Sequence, residues 1–305
     1  MLVSTKQILS KAQKGRYAVA AFNINNLEIL ESVMRAATNL KSPIILQTSE
    51  GAIEYGGMNN LYALMKEASK AKIPVAIHLD HGKNIDIIAQ AINMGYSSVM
   101  FDGSSLPYEE NIAKTKLVVA LAKKKRVSVE AELGALAGIE DFVSVESKDA
   151  HLTNPAQAKE FVRRTKCDSL AIAIGTSHGS MKFKGKPQLD FKRLFDIKKS
   201  VSIPLVLHGA SEVNQEMVNR AFKAGSTLHA SHGVSDELLR KAIKMGICKV
   251  NTDTDIRIAF TAGIREALLA DTSTWDPRKL LAPAMKAMQE AAEKRIKACG
   301  SKGKA

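Results

Sequence analysis

Three histidines that end apolar runs of this chain are each followed by glycine: His81–Gly82, His178–Gly179 and His208–Gly209. Each pair closes a short apolar run, in "VAIHLDHG", "LAIAIGTSHG" and "IPLVLHG". Neutral imidazoles suit a borderline-soft ion such as zinc, and three protein ligands with one open position is the pattern of a catalytic rather than a structural zinc. A following glycine permits close backbone approach and unusual dihedrals. One such pair alone would read as a polar strand end bonded to a backbone group; three at equivalent positions point to a metal. Asp80 precedes His81, and a carboxylate there either orients a histidine or serves as general acid and base beside a metal-polarised substrate. His78, two residues earlier on the same run, reads as a packed, hydrogen-bonded core histidine, and Gly82 as a hinge that leaves room for a substrate.

Carboxylates surround this pattern. Asp102, Glu130 and Glu132 end neighbouring runs, and strand alternation puts Glu130 and Glu132 on one side. A barrel interior excludes unpaired charge, so these groups either bind a second cation or pair with lysines. Glu140 sits in a long connection, where spacing alone gives a surface charge. The segments "HGAS" (208–211) and "NTDT" (251–254) consist of small residues whose backbone N–H groups can face a phosphate, with Lys182 and Arg257 able to supply charge.

The elements that must position these residues repeat along the whole chain. Eight apolar, β-rich runs occur at 17–23, 42–49, 73–80, 97–104, 127–134, 169–176, 203–211 and 246–253. Their hydrophobicity is nearly continuous rather than alternating, as in parallel strands covered on both faces. Helical patterns separate them. In "LEILESVMRAA" (27–37), Leu27, Leu30, Met34 and Ala37 form one stripe. "EENIAKTKLVVALAKKK" opens with acids and closes with bases, as a helix dipole favours. This is the pattern of a TIM (β/α)8 barrel, here one domain over 1–305 with a C-terminal helical extension around "PAMKAMQEAAEKRIKAC". A doubly wound open sheet is the alternative, weakened because no G-x-G-x-x-G follows the first strand. Asn23, Ser49, Asp80, His81, Asp102, Glu132, His178, His208, Asn251 and Asp253 all fall at carboxyl ends of runs, the face on which barrel enzymes carry their sites. Two connections, 135–153 and 178–190, are long enough to be lids or binding loops.

Composition narrows the class. The formal charge is +13, from 44 Lys+Arg against 31 Asp+Glu. The basic residues are scattered, aromatics are only 5%, and none interleave with the cations as a stacking platform for bases. A small polyanionic substrate is therefore favoured over nucleic acid. The cysteines, Cys167, Cys248 and Cys299, are odd in number and far apart, which fits a reduced, cytoplasmic setting better than a disulfide framework. No apolar run approaches the roughly 20 residues of a membrane span.

In combination and order, "AFNINNLE", "QTSEGAI", "HLDHG", "VEAELG", "IGTSHG", "KFKGKPQLD", "PLVLHGAS" and "CKVNTDTDIR" resemble the class II, metal-dependent fructose-1,6-bisphosphate aldolases over nearly the whole chain. The resemblance implies reversible cleavage of fructose 1,6-bisphosphate into dihydroxyacetone phosphate and glyceraldehyde 3-phosphate. It implies that His81, His178 and His208 hold a catalytic zinc acting as a Lewis acid, that Asp80 carries the proton of the C4 hydroxyl, and that Glu140 moves the proton at the ketose carbon. Asp102 and Glu132 match positions that can take a second divalent metal. The C1 phosphate falls to Gly179, Lys182, Gly209, Ala210, Ser211, Asn251, Thr252, Asp253 and Thr254, with a monovalent cation as a candidate assistant; Ser49 and Arg257 match the distal phosphate and aldehyde half. A homodimer or homotetramer is implied, and the C-terminal helix offers an apolar stripe for it. Tagatose-1,6-bisphosphate aldolases share most of these motifs, and no motif decides between the two sugars. A Schiff-base aldolase on the same barrel is a further rival: Lys249 is its one tempting nucleophile, with no desolvating arrangement evident. An inactive barrel that binds nucleic acid is the rival from outside the enzymes. The chain departs from the family at "LHASHGVSDE" (228–237), where His229 and His232 stand in place of the Lys or Gly more usual there; we read this as a surface change.

Overall fold

The strands are β1 (Val19–Asn23), β2 (Ile44–Thr48), β3 (Val75–Gly82), β4 (Ser98–Phe101), β5 (Ser128–Leu133), β6 (Ala137–Glu140), β7 (Val143–Val145), β8 (Ser169–Ile172), β9 (Ser177–His178), β10 (Leu205–Leu207) and β11 (Ile247–Thr252). Eight of them close into a barrel in the order β1-β11-β10-β8-β5-β4-β3-β2, every pair parallel. Closure excludes the open doubly wound sheet. The computed structural model describes residues 1–135, 137–140, 143–145, 151–178, 187–228 and 232–305, with backbone alone for 137–140, 143–145 and 178.

Each barrel strand coincides with one of the eight runs because its residues are buried on both faces. On β3, Val75, Ile77 and Leu79 pack outward against the helices, while Ala76 faces the interior with Val19, Ala21 and Ile45. His78 and Asp80 continue that inward face by alternation. The amino end of the barrel is plugged by the helix Thr5–Gly15, opened by a capping box between Ser4 and Gln7. Its Ile8, Leu9 and Ala12 fill the interior. At the opposite mouth, short polar residues start the helices that follow the strands: Asn26 accepts from Ile29 N–H, Ser49 from Ala52 N–H and Asn84 from Asp86 N–H.

The connection after β5 holds two short strands rather than an unstructured loop: β6 and β7 form an antiparallel pair, and β6 also runs parallel to β9, aligning Gly138 with His178. After β11 come the helices Thr254–Ala270 and Pro277–Cys299. They cross so closely that a Cβ on Gly263 would lie 2.5 Å from Ala284 Cα. The apolar stripe of the last helix (Ala284, Ala287, Met288, Ala291 and Ile296) is buried within this chain, packed on the helices Leu27–Asn39 and Thr254–Ala270. It therefore offers no face to a second subunit, contrary to the sequence reading. The large apolar side chains left outside include Trp275 (87% exposed), Leu269 and Phe222.

Candidate active site

The polar end of β3 is made by its backbone. Adjacent strand residues point to opposite faces, yet Asp80 and His81 both serve the mouth. His81 has φ 48°, a left-handed conformation costly for a non-glycine residue, and the pairing of β3 with β4 shifts register between Leu79 and Gly82. Such irregularities re-aim side chains next to sites. The unusual dihedral thus lies on the histidine, not on the glycine after it. Gly82 is no hinge: it pairs with Phe101, and a Cβ there would sit 2.7 Å from Met100 O. Gly209 fits the expectation better, with φ +59° and a would-be Cβ 2.6 Å from Ser177 O.

The structure brings His81, His208, Asp80, Asp102 and Glu132 together, all buried. The His81 and His208 rings are 4.5 Å apart and inclined by 57°. One donor atom each from Asp80, His81 and His208 lies within 4.8 Å of the others, and the same holds for His81, Asp102 and Glu132. His81 Nδ1 is 2.9 Å from Asp102 Oδ2, whose other oxygen accepts from the Ser104 amide and hydroxyl. His208 Nδ1 is 3.2 Å from Glu132 and its Nε2 3.0 Å from Glu130. Burial alone would lower the His81 pKa, but the Asp80 carboxylate, with Asp102 and Glu132, raises it well above the usual imidazole value. For His208, burial is likewise outweighed by Glu132 and Glu130, and its pKa rises to about 9. Two imidazoles among anionic oxygens make a donor set that fits zinc.

Asp80 is held from three directions. Asn251 Nδ2 donates to Oδ1 at 2.9 Å, Gln47 Nε2 to Oδ2 at 2.9 Å, and Asn23 Nδ2 to Oδ2 at 3.3 Å. Burial would raise its pKa, but the nearby cationic groups, His81 first, then Lys249 and His208, keep it below the ordinary carboxylate value. The side chain of Asn251 is thus engaged with Asp80, a task the sequence reading did not assign it. Gln47 went unrecognised there because one amide in "LQTSE" has no spacing to distinguish it.

His78 is the buried core histidine expected, with Nδ1 2.8 Å from Ser98 Oγ; burial and then Lys249 lower its pKa to about 3. Lys249 corrects the sequence reading. It is wholly buried, so a desolvating arrangement exists, but its ammonium lies 3.0 Å from Glu130 and is committed to an ion pair.

Around the β10 end, Ala210 and Ser211 are buried. The N–H groups of Glu212, Val213 and Asn214 donate to Asp255, which Arg295 Nη2 also meets at 2.8 Å. Thr252 is the buried last residue of β11 and Thr254 the first of the helix Thr254–Ala270. Asp253 binds Arg257 through both oxygens, at 3.0 Å and 2.8 Å. Arg257 lines an open cleft of about 440 Å³ with Asn25, Gly51, Ala52 and Tyr55, beside the helix that Ser49 caps. His232 is exposed as a surface reading requires. Its neighbours nevertheless reach the site loop, since Gly233 and Val234 N–H donate to Glu212 O and Ser211 O. Gly179, Lys182 and His229, and the side chains of Glu140 and His178, lie outside the described residues.

A closed parallel barrel whose carboxyl mouth gathers imidazoles and carboxylates that could hold a metal ion has the architecture of a barrel enzyme. The model of the class-II fructose-bisphosphate aldolase family matches residues 3–227 and 226–304. The chain is 48% identical over 305 residues to the fructose-bisphosphate aldolase of Thermus caldophilus, covering 100% of both, and 47% identical to that of Helicobacter pylori, again covering 100% of both. Among solved structures it is similar to the YdjI aldolase from Escherichia coli K12, with TM-score 0.81, 34% identity and 100% coverage of each chain. The chain belongs to the class-II fructose-bisphosphate aldolase family.

Proposed function

We propose that this chain reversibly cleaves fructose 1,6-bisphosphate into dihydroxyacetone phosphate and glyceraldehyde 3-phosphate with a zinc ion held by His81, His208 and His178. The observation that carries the reading is the convergence of Asp80, His81 and His208 within one ligand-sized space at the barrel mouth. Bound zinc would supply Lewis-acid polarisation of the ketose carbonyl.

Asp80 takes the C4 hydroxyl proton as the C3–C4 bond breaks and the aldehyde leaves. The amides of Asn23, Gln47 and Asn251 fix its carboxylate, so no side chain must reorganise during transfer. Glu140 then delivers the proton that C3 needs to become dihydroxyacetone phosphate. Asp102 and Glu132 are available to a second divalent metal. The C1 phosphate is received by Gly179, Lys182, the backbone of Gly209–Ser211 and the 251–254 segment, with a monovalent cation assisting. Asp255 already engages the three amides after Ser211, which confines the anion to the glycine end of that loop. Ser49 and Arg257 hold the distal half.

The relatives at 43–48% identity, all named fructose-bisphosphate aldolase, support the fructose over the tagatose substrate. The free, buried cysteines support a cytoplasmic setting, and exposed Trp275 and Leu269 support a homodimer or homotetramer. Steady-state cleavage of both sugar bisphosphates by zinc-loaded protein tests the assignment. We expect kcat/KM to favour fructose 1,6-bisphosphate; a clear preference for the tagatose epimer would reverse it.

A further inference from the structure

Lys249 stands on β11 below the barrel mouth, with no exposed surface. Its ammonium lies 3.0 Å from each oxygen of Glu130, 3.7 Å from Asp80 Oδ1 and 3.4 Å from His78 Nε2. A lysine ammonium only donates, so His78 accepts at Nε2 and carries its proton on Nδ1, which donates to Ser98 Oγ at 2.8 Å. Ser98 Oγ and Ser128 Oγ each lie 2.7 Å from Thr5 Oγ1, at the first turn of the helix that plugs the barrel. The cation is thus supported by a directed chain that runs to the closed end of the barrel. On its other side, Glu130 Oε1 is 3.0 Å from His208 Nε2.

We propose that Lys249 and Glu130 act as one unit that positions His208 as a ligand. The ammonium pins the Glu130 carboxylate, the carboxylate accepts the Nε2–H of His208, and the imidazole is held with Nδ1 toward Glu132 and the His81 ring. Lys249 is then a positioning residue and no nucleophile. The unit rests on the reading of His208 as a zinc ligand given above. Outer partners of this kind affect metal affinity by about 10–100-fold.

The test compares wild type, Glu130→Gln, Lys249→Met and the double variant, each measured for thermal midpoint and for zinc Kd by competition with a chromogenic chelator. Each single change removes one partner of the buried ion pair and leaves the other charge in place, and the double change removes both. We expect the midpoint to recover in the double variant while zinc Kd stays about 10–100-fold weaker than wild type, because the ionised acceptor is gone. A double variant with both the midpoint and the zinc affinity of wild type would make the pair merely structural and overturn the inference. If Lys249→Met does not fold, Glu130→Gln alone carries the test: the same weakening is expected, and wild-type affinity overturns it. A wild type that takes up no zinc would overturn the reading of His208 itself, a result distinct from failure of the pair.

Discussion

At the scale of single residues, Asp80 and His81 are neighbours in sequence to which we assign separable tasks. Replacing Asp80 by Ala should leave zinc stoichiometry near wild type and lower kcat by about 10²–10⁴-fold, the usual contribution of a positioned acid or base. His81→Ala should weaken zinc binding itself. Metal analysis of both proteins beside their kcat values checks the division, and equal zinc loss would contradict it. Gln47→Leu should lower kcat by about 10–100-fold with little change in KM, since a hydrogen bond to a charged group contributes about 1.5–3 kcal/mol. The meeting of His81 and His208 at the mouth was legible because each ends an apolar run at the same place in a repeating unit and carries a glycine. Gln47 and the Asp80 role of Asn251 were not, because their function is a direction in space that only the closed barrel creates. Lys249 was misjudged for the same reason: the neighbours that bury and neutralise it come from β3 and β5.

At the scale of elements, the eight barrel strands were readable because burial on both faces leaves an uninterrupted apolar record in the chain. The β6–β7 pair was not, since "AGIE" and "VSV" carry no continuous apolar run of the kind that marks the barrel strands. The tie between the last helix and the site was also hidden. Arg295 and Asp255 are 40 residues apart in sequence, and nothing in either segment announces the pairing. Both are buried, and Asp255 holds the amides of 212–214 in place. Arg295→Ala should therefore destabilise the fold by about 3–5 kcal/mol, the cost of leaving a buried charge without its partner. It should also raise KM for the bisphosphate by loosening the loop that begins at Gly209. Thermal unfolding and steady-state kinetics on the same preparation check both effects; a stable protein with unchanged KM would show the tie to be idle. Gly263→Val should force the two final helices apart and cost about 1–3 kcal/mol, visible as a lowered thermal midpoint with zinc affinity retained.

At the scale of the whole molecule, much of the +13 charge has a structural use away from the substrate. Lys123, Arg163, Arg164, Lys198, Lys199, Lys241 and Lys244 stand in last turns of helices, where cations meet the negative end of the dipole. In a barrel those turns lie on the amino-end face, opposite the mouth. Among the described residues no helix is long and apolar enough to cross a membrane. The architecture brings Asp80, His81, Asp102, Glu132 and His208 to the carboxyl-end mouth, and we propose that this convergence serves a metal rather than a Schiff base. Fructose 1,6-bisphosphate cleavage, followed before and after dialysis against a chelator and again after zinc is restored, tests this most directly. Turnover should disappear with the metal and return with stoichiometric zinc; turnover that persists in protein stripped of metal would overturn the metal assignment.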